Sequence, residues 1–194
     1  MTLTIGVTTW GRPDLLETMA LSLSECAGVS GCNIRVYDDA SPFWDTDYLR
    51  RVFPTAREIV RREKNLGADG NMRRMFIDFL ASGDDCLFIA DSDLIFRPDA
   101  LECVSRIIGA SDGIVSLYNS AIHPASDTCA VGGIPCVIKK TIGAAGTAMT
   151  RAVAEMIISG VPASTAYDWD WSRYLVSKGI RLVVTEESYA QHIG

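Results

Sequence analysis

Cys86-Leu87-Phe88-Ile89-Ala90, halted by Asp91-Ser92-Asp93, decides the fold of this chain. Five apolar residues in succession, with aromatic and β-branched side chains at the centre, have the pattern of a buried strand. Upstream, Asn65-Leu66-Gly67 leads into a segment whose Met72, Met75, Phe76, Phe79 and Leu80 recur at helical spacing; downstream, a second helical segment follows Pro98. Strand and helix therefore alternate around this run, which predicts βα units and an α/β fold with a mostly parallel central sheet flanked by helices.

The alternation extends in both directions. A first strand is expected over Leu3 to Thr9, followed by a helix from Pro13 to about Gly28 with Leu15, Leu16, Met19, Leu23 and Cys26 on one face. Further strands are expected over Asn33 to Tyr37, Glu58 to Arg62, Ile114 to Leu117, Pro135 to Lys139 and Ile180 to Thr185. Helices are expected up to Ile158 and from Asp168 to Ser177. The stretch from Asn119 to Gly133 reads as a long loop able to serve as a lid over a ligand.

With 194 residues, 48% hydrophobic and 22% charged, the chain has the composition of one globular domain that needs no metal or disulfide staple to fold. Its net charge of −6, with basic residues grouped only locally at Arg61, Arg62 and Lys64, argues against nucleic acid as a partner. The first residues lack the signature of a signal peptide, and no apolar run approaches the roughly 18 residues of a transmembrane segment. A cytoplasmic location is the expectation. The six cysteines form no Cys-x-x-Cys pair, and Cys86 and Cys103 have the apolar setting of small buried hydrophobes.

In α/β sheets, ligands bind beyond the carboxyl ends of the strands, so the residues that terminate strands are the candidates for chemistry. Three strands end in Thr8-Thr9-Trp10-Gly11-Arg12, Asp38-Asp39 and Asp91-Ser92-Asp93. Four carboxylates meeting at one sheet edge would repel one another, and a divalent cation is the economical way to neutralise them. The sequence contains three Asp-x-Asp pairs. Asp45/Asp47 reads as a helix cap or a solvated pair, Asp91/Asp93 as a functional pair, and Asp168/Asp170, within Tyr167-Asp168-Trp169-Asp170-Trp171, as a helix start that either caps or acts.

Taken in order, these segments resemble the nucleotide-sugar glycosyltransferases of the GT-A fold, most nearly family 2, over essentially the whole chain. The resemblance rests on Thr8-Thr9-Trp10-Gly11-Arg12-Pro13, Asp38-Asp39-Ala40-Ser41, Asn65-Leu66-Gly67 with Arg73 behind it, and Asp91-Ser92-Asp93. It continues through Gly143 to Thr147, Asp168 followed by Gly179, and Gln191-His192-Ile193-Gly194. Two departures stand out: Tyr167 occupies the position where the family usually has Glu, and no acceptor-shaping segment follows the His motif in this sequence.

The resemblance implies a single GT-A-like, Rossmann-like domain over residues 1–194, with a nucleotide-binding half (about 1–93) and a donor-sugar and acceptor half (about 94–194). It implies a nucleotide-diphosphate sugar as donor, a UDP-sugar first among the candidates, and a hydroxyl acceptor on a saccharide or glycoconjugate. Donor contacts would come from Thr8, Thr9, Arg12, Asp38, Asp39, Gly67, Arg73, Asp91, Ser92 and Gly146. A Mn²⁺ or Mg²⁺ ion would be held by Asp91, Asp93 and His192, because such an ion stabilises a diphosphate leaving group as a Lewis acid. Asp168 would be the base, with Asp170 in reserve. Trp169, Trp171 and His123 would stand on the acceptor side. Two other readings compete. A sugar nucleotidyltransferase would want a Gly-rich basic loop after the first strand, and a noncatalytic nucleotide-sugar-binding module would bind donor without consuming it. A dinucleotide-binding dehydrogenase is disfavoured because no Gly-x-Gly-x-x-Gly follows a strand.

Overall fold

A computed structural model describes all 194 residues. The chain runs β1 (Leu3–Thr9), α1 (Pro13–Ser24), β2 (Asn33–Asp38), α2 (Thr46–Val52), β3 (Glu58–Arg61), α3 (Gly67–Ser82), β4 (Cys86–Asp91), β5 (Leu94–Phe96) and α4 (Ala100–Ile107). It continues with β6 (Ile114–Ser116), β7 (Ala125–Val131), β8 (Ile134–Lys139), β9 (Thr147–Thr150), α5 (Arg151–Gly160), α6 (Tyr167–Ser177), β10 (Leu182–Thr185) and β11 (Ala190–His192). No helix is long and apolar enough to cross a membrane.

The decisive strand, β4, feeds both layers of the molecule. Cys86, Phe88 and Ala90 pack with α1, α2 and α4 on one face, while Leu87 and Ile89 pack with α3, α5 and α6 on the other. All five are fully buried, each of the larger ones contributing on the order of 1.5–3 kcal/mol. β1 repeats the arrangement: Leu3, Ile5 and Val7 face α1, while Gly6 lies so close to α3 that an added Cβ would stand 2.3 Å from Met75 Sδ. Burial raises the thiols of Cys86 and Cys103 to about 12, so both behave as the small hydrophobes expected of them.

The nine-stranded sheet has the order β3-β2-β1-β4-β9-β6-β10-β8-β7. The parallel arrangement holds through β3-β2-β1-β4 and between β6 and β10; β9, β8 and β7 run antiparallel to their neighbours. The chain leaves β1 toward β2 on one side and returns to β4 on the other, so the strand order reverses at β1. In such sheets this reversal opens a crevice beyond the carboxyl ends. A separate antiparallel pair, β5 with β11, sets His192 opposite Leu94, and Ile193 N–H donates to Asp93 O at 2.9 Å. Residues far apart in sequence are thereby drawn to the end of β4.

The stretch 119–133 is not one long loop: it contains β7, the outer strand of a hairpin with β8. Gly132 and Gly133 both have positive φ, 56° and 76°, between the paired Val131 and Ile134, as a two-residue primed turn requires. β7 is exposed over most of its length, and its polar edge-strand composition hid it in the sequence. β5, β9 and β11 were likewise unrecognised, being three or four residues long. Asp45 caps α2, accepting from Tyr48 N at 2.8 Å, as its sequence context suggested.

Gly146 opens β9. Its N–H donates to Ile89 O at 3.0 Å, and its carbonyl accepts from Leu117 N at 2.8 Å, which ties β4 to β6. Its φ is 68°, and an added Cβ would lie 3.2 Å from Ala190 Cβ. Gly146→Ala is expected to lower stability by about 1–2 kcal/mol, the cost of a left-handed L-residue, measured as a shift of the urea midpoint at unchanged slope.

Candidate active site

The crevice at the strand reversal is a cleft of about 950 Å³. Thr8 and Asp91 face each other across β1 and β4, and the Thr8 hydroxyl donates to Asp91 Oδ1. Thr9 also lines the cleft, and its Oγ1 is buried without a hydrogen-bond partner. Gly11 and Arg12 then take left-handed conformations, with φ 66° and 56°, before Pro13 opens α1. This reversal brings the Arg12 guanidinium to Asp93, Nη2 to Oδ2 2.8 Å. Ser92 is buried between the two carboxylates and also lines the cleft.

Asp38 and Asp39 are neighbours with opposite fates. Asp38 is fully buried and does not reach the cleft. It accepts from Trp44 Nε1 at 2.9 Å and from Ser41 N at 3.3 Å, and pairs with Arg61 at 3.4 Å. The expectation that Asp38 contacts the donor is therefore corrected: it ties the loop after β2 to the sheet. Asp39, one residue beyond the strand end, lines the cleft and accepts from Leu66 N at 2.8 Å through Oδ1. Gly67, with φ 75°, lies beside it on the cleft wall.

Three more expected donor or acceptor residues fall outside the cleft. Arg73 stands beside the Tyr167 phenol, because α3 turns that face toward α6. Gly146 is held in the β4-β6 seam described above, leaving Gly143, Ala144 and Ala145 on the cleft wall. Trp171 is fully buried in the core, two residues beyond Trp169 and on the opposite face of α6. Trp169 does line the cleft, with its ring 4.7 Å from that of His123.

Asp168, in the first turn of α6, is half-buried. Its Oδ1 accepts from Trp169 N at 2.8 Å, and the Ala144 N–H also stands toward the carboxylate. A Cβ added to Gly143 would lie 3.8 Å from both Asp168 Oδ2 and His123 Nε2, so the missing side chain of Gly143 keeps a space open between carboxylate and imidazole. Burial pushes the Asp168 carboxyl above its ordinary range, and Asp69 adds to the shift. Asp170, the reserve base, does not reach the cleft: it accepts from Ser164 Oγ at 2.6 Å and pairs with Arg173 at 3.4 Å. Tyr167, the departure from the family pattern, is buried against Phe76.

Asp91, Asp93 and His192 share the cleft but do not converge as a ready three-ligand cluster, because Arg12 engages Asp93 Oδ2. Their chemistry nevertheless fits a divalent ion. His192 Nδ1 lies 3.0 Å from Gly194 O, so a neutral ring donates there and turns its Nε2 lone pair toward Asp93 Oδ1, 3.3 Å away. Two acceptors facing at that distance call for a cation or a proton between them. Burial pushes Asp91 up, and the Asp93 charge pushes it further. Asp39, Asp69, Asp91, Asp93 and Asp168 face only Arg12 and Lys139 as permanent cations across the cleft, an excess of negative charge that an added cation would relieve.

Sequence reasoning missed Asp69, Tyr118, Thr141 and Lys139. Asp69 accepts from Tyr167 N at 3.1 Å, linking α3 to α6. Tyr118 stacks on His192 with ring centroids 6.1 Å apart. His123, read as a surface or acceptor-side group, is buried at the cleft wall, its Nδ1 2.9 Å from Thr141 Oγ1. For Lys139 a signal existed: strand alternation sets it on the same face as the buried Val137.

No protein-family model and no curated protein sequence matches this chain. Its fold matches solved structures of glycosyltransferases. S. aureus TarS aligns with a TM-score of 0.70 at 14% identity over 98% of this chain and 60% of its own. TarS in complex with UDP-GlcNAc aligns at 0.71 and 13%, over 98% and 58%. The mannosyltransferase PcManGT of Pyrobaculum calidifontis, in complex with GDP-Man and Mn²⁺, aligns at 0.71 and 16%, over 95% and 54%. The chain thus has the GT-A-type fold that its motifs resembled, and spans 60% or less of the length of these proteins.

The two adjacent aspartates separate by experiment. Asp38→Ala strands the Trp44 and Ser41 N–H groups and is expected to cost about 1–3 kcal/mol in denaturant unfolding. Asp39→Asn keeps an acceptor for Leu66 N–H and is expected to unfold within about 0.5 kcal/mol of the wild type.

Proposed function

We propose that this chain transfers a sugar from a nucleotide-diphosphate sugar to an acceptor hydroxyl, with inversion at the anomeric carbon. The observation that carries the reading is the meeting, in one cleft at the sheet's reversal, of Asp39, the Asp91/Asp93/His192 group and the Asp168 carboxylate. The UDP-GlcNAc bound to TarS and the GDP-Man and Mn²⁺ bound to PcManGT support a donor of this class and a divalent ion. Residues 1–93 would supply most of the nucleotide contacts and residues 94–194 the sugar and acceptor side. Six free thiols support a reducing, cytoplasmic setting.

In this reading Asp39 receives the nucleoside, Thr8, Thr9, Arg12, Gly67 and Ser92 surround the donor, and Trp169 offers a flat face to a sugar ring. Asp168 Oδ2 accepts the proton of the acceptor hydroxyl. The hydroxyl oxygen forms the new bond to the anomeric carbon as the bond to the diphosphate oxygen breaks, and the nucleoside diphosphate leaves with the electron pair. A Mn²⁺ or Mg²⁺ ion held by Asp91, Asp93 and His192 would supply Lewis-acid stabilisation of that leaving group. The raised pKa of Asp168 suits a base, since proton transfer is most effective when the base's pKa approaches the working pH.

The test is a screen of UDP-, GDP-, dTDP- and CDP-sugars for hydrolysis and transfer, with and without Mn²⁺. Release of nucleoside diphosphate from one donor supports the reading. Metal-dependent nucleotide binding with every donor left intact identifies a binding module, and release of pyrophosphate from a nucleoside triphosphate with a sugar phosphate identifies a nucleotidyltransferase.

Calorimetry is expected to detect nucleoside diphosphate binding in Mn²⁺ that weakens strongly in EDTA, and Asp93→Ala is expected to remove the difference. Equal affinity in both buffers would reject the metal reading.

Asp168→Asn is expected to lower kcat by about 10²- to 10⁴-fold with nucleotide affinity nearly unchanged, while Asp170→Asn stays close to wild type. Because burial raises the Asp168 pKa, its basic form is lost on acidification at a pH above the ordinary carboxylate value of about 4. The acid limb of the wild-type kcat profile should lie there and be absent from the residual activity of Asp168→Asn.

A further inference from the structure

Lys139 ends β8 with only 4% of its surface exposed. Its Nζ donates to Ser120 O at 2.7 Å, and no carboxylate lies within ion-pair distance of it. An ammonium carries three donors, so one is satisfied by the fold. Lysine is rarely buried unless paired, because moving its charge out of water without a counter-ion is costly. A methionine of similar length would fill the same space without that cost. Nothing in the packing of β8 requires the charge.

The side chain lines the cleft beside Ser120, Ile122 and His123. His123 lies close enough for the Lys139 charge to help hold its ring neutral, after the larger effect of burial. His123 Nδ1 lies 2.9 Å from Thr141 Oγ1, and its Nε2 faces the space kept open by Gly143, which Asp168 Oδ2 borders from the other side. Lys139 is thus a buried ammonium on the cleft wall with one protein acceptor and no carboxylate in ion-pair contact; Asp168 stands toward His123 rather than in contact with Lys139. Burial lowers the Lys139 pKa, the mark of a cation lacking its counter-charge.

We infer that Lys139 forms a subsite for an anionic group, a phosphate or a carboxylate, carried either by the sugar of the donor or by the acceptor. The inference deepens the proposed sugar transfer by naming a charged substrate class and rests on that reading. Neutral sugars would leave the buried ammonium uncompensated; an anionic substrate would supply its missing partner through charge-assisted hydrogen bonds.

Binding measurements separate the two sources without requiring turnover. With the protein saturated by UDP, glucose 6-phosphate is titrated against glucose; without UDP, UDP-glucuronate is titrated against UDP-glucose. The anionic member of at least one pair is expected to bind about tenfold or more tightly than its neutral counterpart in the wild type. In Lys139→Met that preference should shrink to about twofold or less, with a melting temperature no lower than that of the wild type. The pair that responds tells whether acceptor or donor carries the charge. Equal binding within both pairs, a preference that survives in Lys139→Met, or an equal loss of affinity for UDP itself would overturn the inference. Should Lys139→Met fail to fold, lysine-selective NMR of the wild type decides: inorganic phosphate must move the Lys139 Nζ signal in a saturable way, and an unmoved signal overturns it. Failure of the donor screen would remove the transfer reading while leaving these binding results intact.

Discussion

A strand buried on both faces that ends in two carboxylates is the constraint on which the rest of the molecule depends. β4 cannot leave Asp91 and Asp93 inside the apolar layers, so the chain must emerge there into a polar cavity or supply partners. It does both. Thr8, in register on the adjacent strand, bonds Asp91, and Arg12 reaches Asp93 only because Gly11 and Arg12 turn left-handed before α1. The β5-β11 pair then delivers His192 to the same place. The end of one strand thus dictates the turn after β1 and the docking of the final segment.

The elements legible in the sequence were those whose burial is symmetrical or periodic. β1 and β4 carry continuous apolar runs, and α1 and α3 carry helical spacing, because packing on two sides leaves no choice of residue type. What escaped was governed by context. β7 is a polar edge strand whose only local sign was the Gly132-Gly133 turn. Trp169 and Trp171 look equivalent on paper, but two residues on a helix are about 200° apart, so one faces the cleft and the other the core. Asp38 and Asp39 diverge because one is the last residue of the strand and the other the first beyond it.

The cleft also has a polarity that composition conceals. Its Asp39, Asp91 and Asp93 end stands at the parallel strands β1, β2 and β4, whereas Lys139 and His123 come from β8 and the segment before β7, on the antiparallel side of the sheet. The mixed topology therefore lets one cavity hold the carboxylates at the ends of β2 and β4 together with a lysine that pairs with none of them. In a purely parallel sheet every wall would be built from strand ends of one kind; here antiparallel strands bring a lysine to the wall from the opposite direction.

For the ionisable groups, a physical criterion separates those that hold the fold from those that form the site. Buried Asp84 accepts from Thr4 Oγ1 and Asn33 Nδ2, Asp38 is met by Trp44, Ser41 and Arg61, and Asp112 is met on both oxygens by Arg181. Each has its requirements filled by the chain itself. Asp168 Oδ2 borders open cleft, His192 Nε2 faces a carboxylate oxygen, and Lys139 lacks a counter-ion. Folding alone would select against every member of that second set, since an apolar replacement costs less than an unmet polar group. All three line the same cleft, so the charge that the fold leaves uncompensated there is what a bound substrate and its cation would satisfy.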